Sequence, residues 1–490
     1  MYMVYRISLI FTIAVALWGI LGSESFAAFA DSLLGFLTRD FGWLYLFVML
    51  AFVIFAIFLA FSKYGKIKLG ADDSKPEHST ISWFAMLFGA GMGIGLVFWG
   101  AAEPISHFVA PPEGIAAGSL QAADFAMKSS FMHWGFHPWA TYSIIGLALA
   151  YFQFRKHAPG LISSIFTPLI GEKGVKGPVG KIIDILAVFA TVAGIATSLG
   201  LGTLQINSGL NYLFGLPETK LVQVIIVSVI TVLFIWTAVT GIDKGIKALG
   251  DINLYLAIAL LVLVIILGPT LPILNNLTNG LGLYINDFIK DSLKISAFGD
   301  NGWINKWRIF YWAWWIAWAP FVGSFIARIS KGRTIREFVG GVIVAPALAS
   351  IVWFAAFGSM GINLKDTIGL KGLSALAKSP ETALFQVFGH YPLAWLLSIV
   401  AVALLCTFFV TSANSATFVL GMFTSEGDLN PGNRKKFIWG LVQSLLAVAL
   451  LFSGGLTALQ TASVAAAFPF IFVMIFAMVS MVKALKSEKI

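Results

Sequence analysis

Residues 303–318 hold six of the 16 tryptophans of this chain. A tryptophan ring face attracts a cation by about 0.5–1 kcal/mol, and by about 2 kcal/mol when the cation is desolvated. Trp315 and Trp318 stand at i, i+3 on a predicted helix, so they share one face. Trp303 and Trp307 precede that helix, where the interfacial aromatic belt of a membrane protein would lie. The helix therefore presents ring faces that could bind a cation.

A second aromatic group surrounds Pro138. Trp139 and Tyr142 share a helix face, and Gly135 with Pro138 permits a distorted turn that would bring Trp134 to the same side. Three or four such ring faces form a cage for a quaternary ammonium. They discriminate against small hydrated cations, because a trimethylammonium has no hydrogen-bond donors to satisfy. An ordinary aromatic packing cluster is the alternative, and the composition alone leaves both open.

Glycines two residues apart, at positions 89, 91, 93 and 95, form a third pattern. Each glycine costs a helix interior about 1 kcal/mol relative to alanine, so four of them disfavour a regular helix by roughly 4 kcal/mol. At membrane depth an unwound backbone must line a cavity or an ion site. The pairs 89/93 and 91/95 also fit Gly-xxx-Gly helix packing. We favour the unwound backbone.

The elements that must position these residues are transmembrane helices. The chain is 58% hydrophobic and 11% charged, whereas soluble domains are about 45–50% apolar and about 25% charged. This excludes a soluble globular protein, a disordered chain and a disulfide-stapled module, and the single Cys406 leaves no cysteine cluster for a metal. Stretches free of Asp, Glu, Lys and Arg predict about twelve spans. The predicted fold class is an all-α integral membrane protein.

Basic residues concentrate after the even-numbered predicted spans, as in Arg434-Lys435-Lys436 after span 10. By the positive-inside rule, both termini are then cytoplasmic. The net charge of +9 has the same origin, so we expect membrane lipid and no nucleic acid as a partner. The first span begins almost at Met1 without a convincing cleavage site, and we interpret it as a retained helix.

Taken together, these residues resemble the betaine/carnitine/choline transporter family over roughly residues 1–485. The resemblance is carried by four motifs: Gly91–Gly95 with Glu103-Pro104, His133-Trp134 to Tyr142, Trp312–Trp318 with Phe325–Ser330, and Thr411–Ser415. Within the family the sequence is most similar to sodium-coupled glycine betaine carriers of bacteria.

The resemblance implies a LeuT-like fold, in which two inverted five-helix repeats follow two extra N-terminal helices. Residues 1–75 would hold the extra helices, residues 76–275 the first repeat (spans 3–7) and residues 301–485 the second (spans 8–12). Residues 276–300 would form an extracellular interfacial segment. The first helix of each repeat, span 3 or span 8, would carry a Gly/Pro interruption near a midplane binding site.

The resemblance also implies site residues. The family's aromatic cage corresponds to Trp134, Trp139, Tyr142 and Trp315, and Trp312 and Trp318 match aromatic positions on the path toward the cytoplasm. The substrate carboxylate would lie near the backbone amides of Gly91, Gly93 and Gly95. Choline-handling relatives tend to carry an acidic residue where this chain has Gly95, which favours a zwitterionic substrate here.

A sodium site is implied as well. It corresponds to the backbone carbonyls of Gly89, Met92 and Phe408 and the hydroxyls of Thr411 and Ser412, oxygen ligands of the kind that hard cations prefer. Thr191 is a candidate for a second sodium site, although a neighbouring expected hydroxyl is replaced by Ile195. The stretch 251–254 lacks the arginine of sodium-independent exchangers, which favours sodium coupling.

We therefore expect a secondary active transporter and not an enzyme, since the spans show no nucleophile–base pair or metal-ligand set. The expected activity is sodium-coupled symport of glycine betaine or a similar osmoprotectant by alternating access, with Na⁺ as the coupling ion and no other cofactor. The expected location is a bacterial plasma membrane, and a homotrimer is an open expectation because relatives are often trimers.

The alternative is a carrier or sodium-independent exchanger of choline, carnitine or another onium compound such as dimethylsulfoniopropionate. A channel is a further possibility, but one interrupted helix per repeat suits alternating access better.

Overall fold

The computed structural model describes residues 2–91, 93–240 and 243–488, which form nineteen α-helices joined by short connections. The first nine are α1 (Tyr2–Leu21), α2 (Ser23–Phe61), α3 (Thr80–Gly91), α4 (Ile94–Val109), α5 (Leu120–Trp134), α6 (Phe136–Ala150), α7 (Thr167–Lys176), α8 (Pro178–Phe214) and α9 (Lys220–Thr240).

The remaining ten are α10 (Asp243–Leu267), α11 (Thr270–Asn286), α12 (Phe288–Ser292), α13 (Phe310–Ile329), α14 (Ile335–Asn363), α15 (Lys365–Lys378), α16 (Pro380–Phe388), α17 (Ala394–Phe423), α18 (Asn433–Gly454) and α19 (Leu456–Lys486). Short 3₁₀ segments occur at Lys63–Lys66 and Ile162–Phe166, and π-helical turns at Tyr151–Arg155 and Ile304–Ile309.

Ten helices in the described ranges are long and apolar enough to cross a membrane, and the bent pair α3–α4 makes an eleventh span. Helices α5 and α6, of 15 residues each, abut at Gly135 and together occupy the predicted fourth span. The prediction of an all-α membrane protein with about twelve transmembrane helices is therefore confirmed.

The outer helices carry large apolar side chains that no other part of the chain covers. On α9, Val232 is 68% exposed and Trp236 is 57% exposed, and on α10 Ile266 is 67% exposed. Such a surface would be unfavourable in water but is suited to lipid tails. The chain is a multi-pass membrane protein.

Span 3 is interrupted at its glycines. Helix α3 ends at Gly91, Gly93 is extended (φ −145°, ψ −175°), and α4 begins at Ile94. The two halves are bent by 65°. The interruption is shorter than we predicted from the sequence, because Gly95 already lies in the first turn of α4, and Met92 lies outside the described residues.

Span 8 does not have the interruption that was predicted there. Helix α13 continues through Pro320 and Gly323 to its end. The glycine has a packing role instead, since a Cβ at Gly323 would lie 3.0 Å from the backbone nitrogen of Gly146 on α6. Close contact between α6 and α13 explains the small residue without a break.

Helices α7 and α15 share a local sequence and a local backbone. Each contains Ile-Gly-x-Lys-Gly, at residues 170–174 and 368–372. The first glycine is left-handed in both, with φ 68° at Gly171 and φ 67° at Gly369. A Cβ on the second glycine would lie 2.8 Å from the isoleucine Cβ in both cases. The two motifs stand between spans 4 and 5 and between spans 9 and 10.

A separate helix follows span 7, and it begins at Thr270, before the segment 276–300 that the sequence set apart from the span. It is α11, and its Tyr284 hydroxyl accepts the backbone N–H of Phe136 at 2.9 Å. A Cβ at Gly135 would stand only 2.7 Å from the Tyr284 hydroxyl. This contact fixes the break between α5 and α6.

The end of the described chain is anchored by Glu488. Its carboxylate accepts hydrogen bonds from Arg155 at 2.8 Å and Tyr151 at 2.6 Å, and Lys156 lies 2.6 Å away. The pKa of Glu488 is lowered to about 2, chiefly because Arg155 donates to the carboxylate. This cluster joins the end of α19 to the end of span 4.

We expect Glu488→Gln to lower thermal stability at pH 7 by about 1–2 kcal/mol, after allowance for solvent screening. Because the pKa in the folded protein lies below its ordinary value of 4.5, the stabilisation is complete above that pH and is lost as the pH falls toward the folded pKa. Thermal unfolding in detergent at pH 7 and pH 4 checks this, and the difference should shrink at pH 4. Glu172→Gln, in a pair whose side chains are 70% and 80% exposed, is the control, and an equal loss there would contradict the assignment.

Candidate binding site

Helices α4, α5, α6, α13 and α14 line a cavity beside the break in span 3. The cavity is open on one side, and the space free of protein atoms, including the part that opens outward, is about 430 Å³. The lining residues are Gly93, Gly95, Leu96, Trp134, Pro138, Trp139, Tyr142, Trp314, Trp315, Trp318 and Ser350. The structure thus brings together the four cage residues implied by the sequence, with Trp318 and two of the glycines.

The break at Gly135 is what places Trp134 in this cavity. Without it, Trp134 would not share a helix face with Trp139 and Tyr142. The ring centroids of Trp134 and Trp315 are 4.8 Å apart and those of Trp139 and Tyr142 are 5.4 Å apart, both edge to face. The rings therefore form one continuous aromatic lining from two different spans.

Trp315 is held on both sides. Its Nε1 donates to the backbone carbonyl of His133 at 2.9 Å, and its ring stacks on Trp314 with centroids 4.8 Å apart. Sequence reasoning missed Trp314. The residue that points to Trp314 is Gly95, because a Cβ there would stand 2.5 Å from Trp314 Cη2 and 3.1 Å from Trp134 Cη2. Gly95 is needed because Trp314 and the cage residue Trp134 occupy the space that a Cβ would take.

Two groups of tryptophans differ from the sequence expectation. Trp312 lies outside the cavity and stacks on His137, with centroids 4.7 Å apart, because it points to another side of α13. Trp303 and Trp307 are buried against His107 and do not face an interfacial belt. Trp318 does line the cavity, and its Nε1 donates to the Gly194 carbonyl of α8 at 2.7 Å.

Of the candidate sodium ligands, all but Met92 lie within the described residues. Thr411 Oγ1 lies 3.2 Å from the Phe408 carbonyl on α17, and it accepts a hydrogen bond from Asn253 Nδ2 of α10 at 2.9 Å. Ser412 is half-buried on the same helix, and Gly89 is exposed near the end of α3. Thr191 donates to Ala187 within α8, a bond that any helical threonine can make.

Glu103 of α4 is a buried acid whose role the sequence did not reveal. Its carboxylate faces four donors: His107 Nε2 at 3.1 Å, His133 Nδ1 at 2.6 Å, Trp134 Nε1 at 2.8 Å and the Tyr311 hydroxyl. The sequence showed no third metal ligand near His133. In the structure, possible metal-ligating atoms of Glu103, His107 and His133 lie within 4.8 Å of one another. An ionisable side chain buried within a membrane span is a candidate functional residue.

The fold and the site together define a polytopic helical membrane protein with an internal aromatic cavity beside a broken span. Cavities at the broken helices of a bundle are where secondary transporters bind their substrates.

Comparison with known proteins gives the family. The family model described as BCCT, betaine/carnitine/choline family transporter, matches residues 3–490. The chain is 50% identical to the glycine betaine transporter OpuD of Bacillus subtilis, over 99% of this chain and 94% of that protein. It is 46% identical to an ectoine/hydroxyectoine transporter of Virgibacillus pantothenticus, over 95% of this chain and 92% of that protein. The chain therefore belongs to the betaine/carnitine/choline transporter family, and it is a transporter and not an enzyme.

Proposed function

We propose that this protein takes up glycine betaine, or a similar zwitterionic osmoprotectant, by sodium-coupled symport. The observation that carries the proposal is the cavity in which Trp134, Trp139, Tyr142 and Trp315 meet beside the broken span 3. Desolvated ring faces attract a quaternary ammonium, and a trimethylammonium leaves no donor unpaired among them.

The other end of the substrate finds a complementary environment. Gly93 and Gly95, at the N-terminus of α4, line the same cavity. A helix N-terminus carries a partial positive charge and attracts a carboxylate. Aromatic faces at one side and a helix N-terminus at the other suit a short zwitterion. Ectoine is a second candidate, because the Virgibacillus relative is named for it.

The proposed architecture is a pair of inverted repeats, residues 76–275 and 301–485, after the N-terminal residues 1–75. The recurrence of Ile-Gly-x-Lys-Gly at 170–174 and 368–372, with the same left-handed first glycine, supports it. Both motifs follow the second span of their proposed repeat. Alternating access would then be a rocking of spans 3, 4, 8 and 9 against the other helices.

Sodium is proposed as the co-substrate, bound by carbonyls of Gly89, Met92 and Phe408 and by hydroxyls of Thr411 and Ser412, with Thr191 as a candidate for a second ion. The oxygen chemistry of this set suits a hard cation. Each positive charge that moves inward gains roughly 2.3 kcal/mol per 100 mV of membrane potential. Since a tenfold concentration ratio corresponds to about 1.4 kcal/mol, this gain supports roughly 50-fold accumulation of the substrate.

The proposed setting is a bacterial plasma membrane, with both termini in the cytoplasm and residues 276–300 outside. The support is the distribution of basic residues between the connections. A homotrimer is part of the proposal and is checked by the mass of the purified protein in detergent.

Uptake of radiolabelled glycine betaine into proteoliposomes tests the proposed function. We expect uptake with an inward sodium gradient and none when potassium replaces sodium. Uptake without sodium, driven by preloaded substrate, would contradict symport and indicate an exchanger. If betaine is not taken up in either condition, the same assay with ectoine, choline, carnitine and dimethylsulfoniopropionate identifies the substrate.

The sodium site makes a separate prediction. Thr411→Ala removes a hydroxyl oxygen and leaves the Asn253 amide without its acceptor, so we expect the sodium concentration for half-maximal uptake to rise about tenfold or more. Thr411→Ser keeps the oxygen and should stay near the parent value. An equal sodium dependence in all three proteins would contradict the proposed ligand.

A further inference from the structure

The hydrogen bonds around Glu103 fix the charge of its carboxylate and of the two histidines. His107 Nδ1 accepts from Trp303 Nε1 at 3.3 Å, and His133 Nε2 accepts from Arg308 Nε at 3.3 Å. Each imidazole therefore has one nitrogen that accepts, so it is neutral and donates to Glu103 through the other nitrogen. With four neutral donors around it, Glu103 is an ionised acceptor.

Arg308 supplies the opposite charge. Its side chain is 1% exposed, it reaches Glu103 through the imidazole of His133, and it also donates to the Asp291 carbonyl. Lys128 Nζ lies 2.9 Å from the Asp291 carboxylate and 2.6 Å from that of Asp287, so these two acids share it. Arg308 is the cation that His133 connects to Glu103, so Glu103, His133 and Arg308 together carry no net charge.

Glu103 lies directly behind the aromatic cavity. Trp134 lines the cavity with its ring and donates to Glu103 with its Nε1. Tyr311 donates to the same carboxylate oxygen, and its ring stacks on Trp315 with centroids 5.8 Å apart. Glu103 therefore sets the orientation of rings on both sides of the cage.

We propose that Glu103 and Arg308, bridged by His133, form a neutral charge pair that positions the cage and makes it select zwitterions over singly charged cations. This rests on the proposed function. Glu103 alone would place a negative charge behind the ring that holds the ammonium, which would favour a bare cation such as choline. Arg308 cancels that field, so the substrate has to bring its own carboxylate.

The test is competition between choline and radiolabelled glycine betaine in proteoliposomes at pH 8.5, where histidine at its ordinary pKa is neutral. Arg308→Gln keeps a donor for His133 but removes the charge. We expect it to shift the ratio of the choline and betaine inhibition constants toward choline by about tenfold, because the buried negative charge of Glu103 then remains unopposed behind the cage. Glu103→Gln should shift the ratio the other way. The double variant, neutral again, should return close to the parent ratio.

Thermal unfolding of the same proteins gives a readout that needs no substrate. Each single variant leaves one buried charge unpaired, so the double variant should be more stable than Arg308→Gln alone. Arg333→Gln, at another buried arginine that stacks on Trp83, should leave the ratio unchanged. An unchanged ratio in Arg308→Gln, or a double variant no more stable than the single one, would overturn the inference. Failure of the unsubstituted protein to transport betaine would overturn the proposed function instead, and the unfolding series would still test the charge pair.

Discussion

Gly95→Ala is expected to reduce betaine uptake by about 100-fold, the factor that a displacement near 1 Å costs in a catalytic site. The new Cβ would stand 2.5 Å from Trp314 Cη2. Trp314 cannot retreat, since it is 1% exposed and is stacked between Trp315 and Phe310, with ring centroids at 4.8 Å and 5.5 Å. The displacement passes to Trp315 and so to the cage. Initial rates of uptake at several betaine concentrations measure it.

Gly340→Ala is the matched control for this substitution. It is also a helical glycine of a transmembrane span, and no atom lies within 4 Å of its added Cβ. Both changes raise helix propensity by the same amount, so only the contact with Trp314 differs between them. Equal uptake by the two variants would show that the cage tolerates movement of Trp314.

Trp315→Leu is expected to raise the KM for betaine by about 10–30-fold. Leucine fills part of the volume but removes one desolvated ring face, which is worth about 2 kcal/mol to a cation. Trp315→Phe keeps a ring face and loses the hydrogen bond to the His133 carbonyl, so we expect an intermediate KM. The measurement is the sodium-driven uptake rate as a function of betaine concentration.

A buried tryptophan elsewhere separates recognition from stability. Trp439 on α18 is fully buried and donates its Nε1 to Thr424 Oγ1 at 3.0 Å. Trp439→Leu should lower the thermal stability, by about 3–5 kcal/mol at most, and leave the KM of the folded fraction unchanged. If Trp439→Leu raises the KM as much as Trp315→Leu does, the cage assignment is wrong.

The sequence predicted the parts of the fold that depend on local composition. Long apolar runs must become helices in lipid, because every backbone donor and acceptor has to be paired within the segment, and this gave the spans. The glycine pattern located the break in span 3. The same reasoning failed at Pro320 and Gly323, because the packing of α13 on α6 stabilises a continuous helix there, and packing between distant segments leaves no periodic signal.

At the site, too, the sequence could not predict what depends on packing between distant segments. Trp134, Trp139, Tyr142 and Trp315 were found from residue type and from the family resemblance, yet Trp314 and Trp312 could not be told apart by spacing. The structure decides it: Trp314 packs on Gly95, and Trp312 turns to His137. Likewise Glu103 was visible only as part of a motif.

What the sequence by itself determined is therefore the kind of protein: an all-α membrane protein, the place of its broken span and the aromatic residues that could bind a cation. These follow from side-chain chemistry and from the cost of an unpaired backbone in lipid. Only the tertiary structure decided which rings share a cavity and that Glu103 meets His107, His133, Trp134 and Tyr311. Those contacts join segments up to 208 residues apart along the chain, and hydrogen bonds over such separations depend on how the helices pack rather than on any local pattern.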